Sequence, residues 1–400
     1  MKIGIISDSP KLTTGFGITT NRIAHGLVRS GHEVTCFGLK GQGRSFNDPD
    51  YPFNIWGVDP TIEWSGTLGR FLQDEDPDAL FLNMDIFNCK EVNAYRKCAD
   101  WSGPTIAYVI LDGVPAYREY LESAGDADVF MASTLVGAEY LQSCGFSPVI
   151  MAPPGVDCSL FRPSRDTRCL RMKAGLEDKF VVGVFGRNTE RKQQPRVLIA
   201  LSHLRQMGKG ADVALYFHCK QRGYWKLDEI AQHLGVENSV IFAEDLLDET
   251  SGVPYVSAAR SLASGEAPSH NLMRMPADYS YVERLNCCDL VVNVPHCGDF
   301  EQVIIESQAC GIPIAATDDR GIMAEAIGDG GLLLAAADIG FWKAGQRNFH
   351  VSPRSIADAI VSIKESQDLR ERLIASGMAN AQKYPWDALT DAMEQAVASL

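Results

Sequence analysis

No apolar run in this 400-residue chain approaches the roughly 18 residues that a membrane-crossing helix requires, so no spanning segment is expected. The opening MKIGIIS reads as a strand and lacks the pattern of a cleavable signal. Positive charge is scarce: 37 Lys and Arg stand against 51 Asp and Glu, and a net charge of −14 disfavours non-specific binding of the whole surface to nucleic acid or to anionic membranes. A local basic patch stays compatible with nucleic-acid binding, but saccharides and small molecules rank above it as ligands. Cys287, Cys288 and Cys297 lack the C-x2-C spacing of a zinc site, and no metal site is read there. Eleven cysteines without a secretory signal, several of them (Cys36, Cys219, Cys287, Cys310) in apolar surroundings, point to a cytoplasmic protein. A dinucleotide fingerprint is missing too. Thr20 stands where the third glycine after Gly15 and Gly17 belongs, and Cys36-Phe37-Gly38 offers no acid, which argues against a nicotinamide or flavin cofactor. There is no low-complexity tract and no repeat beyond two similar halves.

What is present is an ordinary globular composition, 46% hydrophobic and 22% charged, on a length that suits two domains of roughly 150–200 residues. Apolar strand-like runs at Lys2–Ser7, Glu33–Leu39, Ala79–Asn83, Thr105–Leu111, Val129–Ser133 and Pro148–Met151 alternate with helical stretches such as Ile18–Ser30. Such alternation predicts an α/β fold with a parallel sheet covered on both faces, and ligands at the carboxyl ends of its strands, here Asp8, Asp85, Asp112 and Ser133. Asp112, in LDGVP, follows a buried strand directly and is a candidate catalytic acid or base; a turn aspartate bonding its own backbone is the alternative. Gly15 and Gly17 either make a plain turn or let the backbone approach a phosphate or sugar.

The second half begins with a strand at Phe180–Phe185, a turn at Gly186 and a helix with Val197, Leu198, Ala200 and Leu201 inside. Arg187, Arg191, Lys192 and Arg196 cluster there on an otherwise acidic chain, placed to neutralise a diphosphate; Arg191 and Arg196 read as solvated helix-face charges. Val213–His218 and Val240–Phe242 are further strands, with His218 either a structural histidine or a cleft residue. Residues 249–275 look like a long inserted loop, read as a lid, a substrate contact or a simply disordered segment. The segment from Tyr281 to Gly321 holds a strand at Leu290–Val294, a polar turn at Pro295–Phe300, a helix from Glu301 stopped at Gly311, and a strand from Ile314. Glu306, one turn inside that helix, either meets ligand hydroxyls beside a bound anion or merely solvates the helix. A short helix at Ile322–Ile327, a final strand after GDGG, helices at Ile356–Ser366 and Leu369–Tyr384 and an amphipathic terminal helix complete the chain.

Residues 298–313 resemble the signature of glycosyltransferase family 4, E-G-F-G-x-x-x-x-E-A-x-A-x-G-x-P, with Phe300, Glu306, Ala309, Gly311 and Pro313 in the family positions. The first Glu of that pattern falls on Gly298, and Asp299 and Glu301 stand where the family has glycines; Asp299 is the candidate to supply the missing carboxylate. PPGVDCSLFRP at 153–163, the G-R-x4-K pattern of Gly186, Arg187 and Lys192, and D-x-x-V-x-x-P at Asp289–Pro295 match further family elements in order, with Trp386 at the start of the last helix. The resemblance implies a GT-B fold, two Rossmann-like domains facing across a cleft. Residues 1–164 would form the acceptor side, 165–380 the nucleotide-sugar side, and 381–400 a helix crossing back to the first domain. It implies a metal-independent, retaining transfer from a nucleoside diphosphate sugar, such as a UDP-sugar, to an acceptor hydroxyl, with no cofactor beyond that co-substrate. Arg187, Lys192, Asp112 and Asp299 are the expected catalytic residues, and Gly15, Gly17, Gly186, Phe300, Glu301 and Glu306 the expected donor-binding ones. A catalytically impaired sugar-nucleotide-binding protein and an epimerase or phosphorylase of similar shape are the alternatives.

Overall fold

The computed structural model describes all residues except 43–44, 47, 59–63, 126, 165–166, 244–273 and 276–278. The expected loop at 249–275 therefore lies outside the described residues, save for its last two.

In the first half, β1 (Lys2–Ser7), α1 (Gly15–Arg29), β2 (Glu33–Gln42), β3 (Asn54–Val58), α2 (Trp64–Glu75), β4 (Ala79–Met84), α3 (Ile86–Cys98), β5 (Thr105–Val109), α4 (Arg118–Leu121), β6 (Val129–Ala132), α5 (Leu135–Ser143) and β7 (Val149–Met151) follow one another. The strands form a parallel seven-stranded sheet in the order β3-β2-β1-β4-β5-β6-β7. Alternate residues of β1 face opposite layers, as strand pleating requires. Ile3 and Ile5 pack with Ile23 and Leu27 of α1, and Ile6 packs with Leu68 and Phe71 of α2.

The second half holds α6 (Arg168–Lys173), β8 (Phe180–Phe185), α7 (Gln194–Gln206), β9 (Val213–His218), α8 (Leu227–His233), β10 (Val240–Ala243), β11 (Arg274–Met275), α9 (Tyr281–Asn286), β12 (Leu290–Asn293), α10 (Val303–Ala309), β13 (Ile314–Thr317), α11 (Ile322–Ile327) and β14 (Gly331–Leu334). Its parallel sheet has the order β11-β10-β9-β8-β12-β13-β14. Val182 and Val184 pack on Val197 and Leu201 of α7, while Val181 and Phe185 face Ile304 and Ile305 of α10. An antiparallel hairpin, β15 (Ala336–Phe341) and β16 (Arg347–Val351), then precedes α12 (Pro353–Glu365), α13 (Gln367–Ala381) and α14 (Trp386–Ala398).

Helix α14 returns to the first sheet, where Leu389, Met393 and Ala396 join the core of Ile23 and Leu27. The approach is close: a Cβ on Gly155 would lie 2.5 Å from the Trp386 amide nitrogen, and one on Gly26 would run into the Thr390 side chain.

Four expectations need correction. Helix α1 starts at Gly15, ahead of Ile18, because the Thr14 hydroxyl accepts the Gly17 N–H at 3.0 Å and caps it. Strand β3 was not foreseen. The strand after GDGG is not the last, since the hairpin follows it. Helix α10 starts at Val303, after a break at Glu301, whose φ of 53° is left-handed.

Candidate functional site

The carboxyl ends of the two sheets meet. Ser133, just past β6, donates its hydroxyl to Asp299 Oδ1 at 2.5 Å, and Arg191 Nη1 lies 3.4 Å from Asp112 Oδ1 beyond β5. The first amides of α5, Leu135 and Val136, donate to the Glu325 carboxylate of α11 at 2.7 and 2.9 Å. The Tyr117 N–H donates to the Ala344 carbonyl in the hairpin at 2.7 Å.

The cation cluster is built by the end of β8. Gly186 turns the chain with φ of 122°, and the Lys192 side chain lies over it, 3.2 Å from where a Cβ would stand. Residues Glu190–Lys192 form a single 3₁₀ turn, and α7 begins only at Gln194, with Pro195 in its first turn. Arg191 thus leaves the helix face on which the sequence placed it. Its Nη1 donates to Glu301 Oε1 at 2.8 Å and to the Cys297 carbonyl at 2.9 Å, and Lys192 Nζ pairs with Glu301 Oε2. Arg196 is no solvated charge either, since it donates to the Val351 carbonyl at 3.0 Å and to the His350 ring and so ties the hairpin to α7.

Burial works against the charge of Glu301, but Lys192 and Arg191 outweigh it and bring its carboxyl down to about 2. Arg191 loses solvation by burial, yet Asp112 and Glu301 hold it charged. Burial lowers Lys192 more than Glu301 raises it. Asp299 is pushed up to about 7, first by burial, against the bond from Ser133 and with the Asp112 charge adding to the rise. Glu306 is also raised to about 7 by burial, opposed by the Tyr281 hydroxyl, which donates to its Oε2 at 2.7 Å. Tyr281 in turn packs edge-on against Phe185, the residue before Gly186, with ring centres 5.6 Å apart. Glu306 thus reaches the end of β8 through Tyr281, and Lys192 lies over the turn that follows that strand.

The remaining expected residues divide. Arg187 is exposed at the same strand end, and its charge reaches Asp85. Gly15 opens on the cleft, with Gln302 Oε1 3.8 Å from where its Cβ would be. Gly17 is required by the fold, because a Cβ there would collide with the Leu12 carbonyl. The Phe300 ring is buried against Tyr384 at 5.0 Å, so only its backbone is left for a donor. His218 belongs to the core: it shares a 2.6 Å hydrogen bond with the Tyr216 hydroxyl, stacks on Phe185, and is pushed down to about 3 by burial. Sequence reasoning set aside Arg191, passed over Tyr281, and named Ser133 only as one of the strand ends. For Arg191 the signal was Pro195, which fixes the helix start beyond it.

No protein-family model matches the chain. It is 25% identical over 338 residues to the GDP-mannose-dependent alpha-(1-6)-phosphatidylinositol monomannoside mannosyltransferase of Mycolicibacterium smegmatis, covering 79% of this chain and 80% of that one. It is 25% identical over 263 residues to a D-inositol 3-phosphate glycosyltransferase of Stackebrandtia nassauensis, covering 61% of this chain and 47% of the relative. The fold matches sucrose-phosphate synthase from Thermosynechococcus elongatus with a TM-score of 0.72 at 15% identity, over 100% of this chain and 98% of that one. It matches the Anabaena protein HepE in complex with UDP and glucose with a TM-score of 0.70 at 18% identity, over 100% of both chains. The chain has the GT-B fold. The resemblance to glycosyltransferase family 4 agrees with these sequence relatives, which are named as glycosyltransferases.

Proposed function

We propose that this protein is a glycosyltransferase that moves a glycosyl group from a nucleoside diphosphate sugar to a hydroxyl of a saccharide or small-molecule acceptor, with retention at the anomeric carbon. The observation that carries the reading is the gathering of Arg191 and Lys192 at the end of β8, with Glu306 reaching that end through Tyr281. As the glycosyl bond breaks, negative charge grows on the diphosphate. Fixed cations in a site shielded from water stabilise that charge. Lys192 and Arg191 face it from within and Arg187 from the exposed rim; these side chains do the work of a cation. Helix α10 has only seven residues, so its dipole is the minor contributor. Glu306, once ionised, accepts the ribose hydroxyls of the donor. On the acceptor side Asp112 and Asp299, held by Arg191 and Ser133, orient the incoming hydroxyl, and the departing phosphate takes its proton.

We place the domain boundaries at 1–164 and 165–380, with 381–400 belonging in space to the first domain. Mixing the protein with UDP-, GDP- and ADP-sugars and measuring nucleoside diphosphate release tests the reading. Release that Glu306→Ala lowers by roughly tenfold to a hundredfold is expected. Undiminished release from both Arg187→Ala and Glu306→Ala would overturn the site assignment. One observation favours a second reading, a protein that binds the nucleotide sugar without turnover: Glu301 already neutralises part of the cation cluster. Binding with no product across a broad acceptor screen would support it.

A further inference from the structure

Glu301 is the one residue of the cation cluster whose backbone sits in the left-handed region, at φ 53°, a conformation that a glutamate adopts only when something holds it there. What holds it is its carboxylate, one oxygen on Arg191 at 2.8 Å and the other on Lys192, with the side chain only 7% exposed. The space that receives this carboxylate belongs to another position. A Cβ built on Gly298 would stand 2.7 Å from Glu301 Oε1 and 3.0 Å from Arg191 Nη1. The absence of a side chain at 298 and the reach of the side chain at 301 are two halves of one arrangement.

We infer that Glu301 is a positioning residue which supplies, from three residues further on, the carboxylate that a side chain at 298 would otherwise bring between Arg191 and Lys192, and that this carboxylate sets the two cations for the donor diphosphate. The inference rests on the proposed function. It also answers which acid fills the gap at 298, since Asp299 is turned to Ser133 instead. Two consequences follow from the geometry. Gly298→Glu alone adds a second carboxylate to a space already filled, and Glu301→Gly alone takes the shared carboxylate from the two cations, leaving Arg191 only Asp112 and the Cys297 carbonyl. The double substitution Gly298→Glu/Glu301→Gly returns one carboxylate to the same place and relieves the left-handed glutamate.

The test is a double-substitution cycle over the four full-length proteins, with melting temperature and calorimetric affinity for UDP, GDP and ADP as separate readouts. Each single variant is expected to melt lower than wild type and to bind the preferred nucleoside diphosphate at least about tenfold more weakly. The double variant is expected to recover both, with affinity within about threefold of wild type. A double variant that binds no better than Glu301→Gly, whatever its melting temperature, would overturn the inference and leave the proposed function standing. Should folded wild type bind none of the three nucleotides, the proposed function itself fails. The inference is then decided by melting temperature, where coupled recovery sustains the exchange of positions and additive losses overturn it.

Discussion

Two carboxyls of the cluster titrate in opposite directions from their ordinary values, and each leaves a signature in pH. Glu306 is raised from 4.5 to about 7 by burial, so the folded chain holds its proton more tightly than the unfolded one. The stability that proton contributes is present below about 4.5 and is lost as pH rises through about 7. Glu306→Gln, which stays neutral, is expected to melt a few degrees above wild type at mildly alkaline pH and level with it in acid, as thermal scans across pH will read. Donor binding runs the other way, because only the ionised carboxyl accepts two ribose hydroxyls. Nucleoside diphosphate affinity should rise through about pH 7 in wild type and lose most of that rise in Glu306→Gln. Asp299 titrates in the same window, and comparison with the variant isolates the share owed to Glu306. Glu301 is lowered from 4.5 to about 2, so its stabilisation is present above about 4.5 and is lost as pH falls through about 2. Glu301→Gln should accordingly flatten the acid limb of the stability profile while lowering the melting temperature at neutral pH.

At the scale of elements, the hairpin β15–β16 touches both halves of the molecule. Its tip presents the Ala344 carbonyl to Tyr117, its Trp342 ring lies 4.3 Å from the His296 ring, and Arg196 grips its outgoing strand. Arg196→Ala removes that grip, and faster hydrogen exchange confined to 336–351 is the expected result; unchanged protection there would show that Trp342 and Tyr117 suffice. The terminal helix is held by shape. Gly26→Val would drive a side chain into Thr390 and should lower stability by about 1–3 kcal/mol, measured by denaturant unfolding. Elements that bury both faces were legible in the sequence: β1, β8 and β9 lie where their Val- and Ile-rich runs place them. The hairpin was not, because Ile339 and Phe341 of β15 are exposed and only Phe349 and Val351 of β16 are buried, two positions too few for an alternation to stand out. Strand β3, NIWGV, is an edge strand of five residues with a glycine inside it, too brief for periodicity to single out.

Across the whole molecule, the two sheets are tied at their carboxyl ends by polar bridges, beside which Ile322 of α11 packs into the core of the first half. Glu325 caps the start of α5, Asp112 meets Arg191, and Asp299 meets Ser133. Polar contacts of this kind open and close readily, as a cleft that admits a substrate requires. Glu325→Ala should shift the population towards an open form, seen as a larger radius of gyration in solution scattering that the bound nucleoside diphosphate reverses. The candidate site was legible only in part. Lys192, Glu306 and Asp112 stand out by residue type and place, whereas Arg191 and Glu301 depend on a 3₁₀ turn and a left-handed backbone that residue spacing does not record. The role proposed for Lys192 and its neighbours is to receive the diphosphate of the donor. Nucleoside diphosphate release from the preferred sugar nucleotide by wild type and by Lys192→Ala, both checked for folding, tests that role most directly. Release at least about a hundredfold slower in the variant is expected; equal rates would rule the role out.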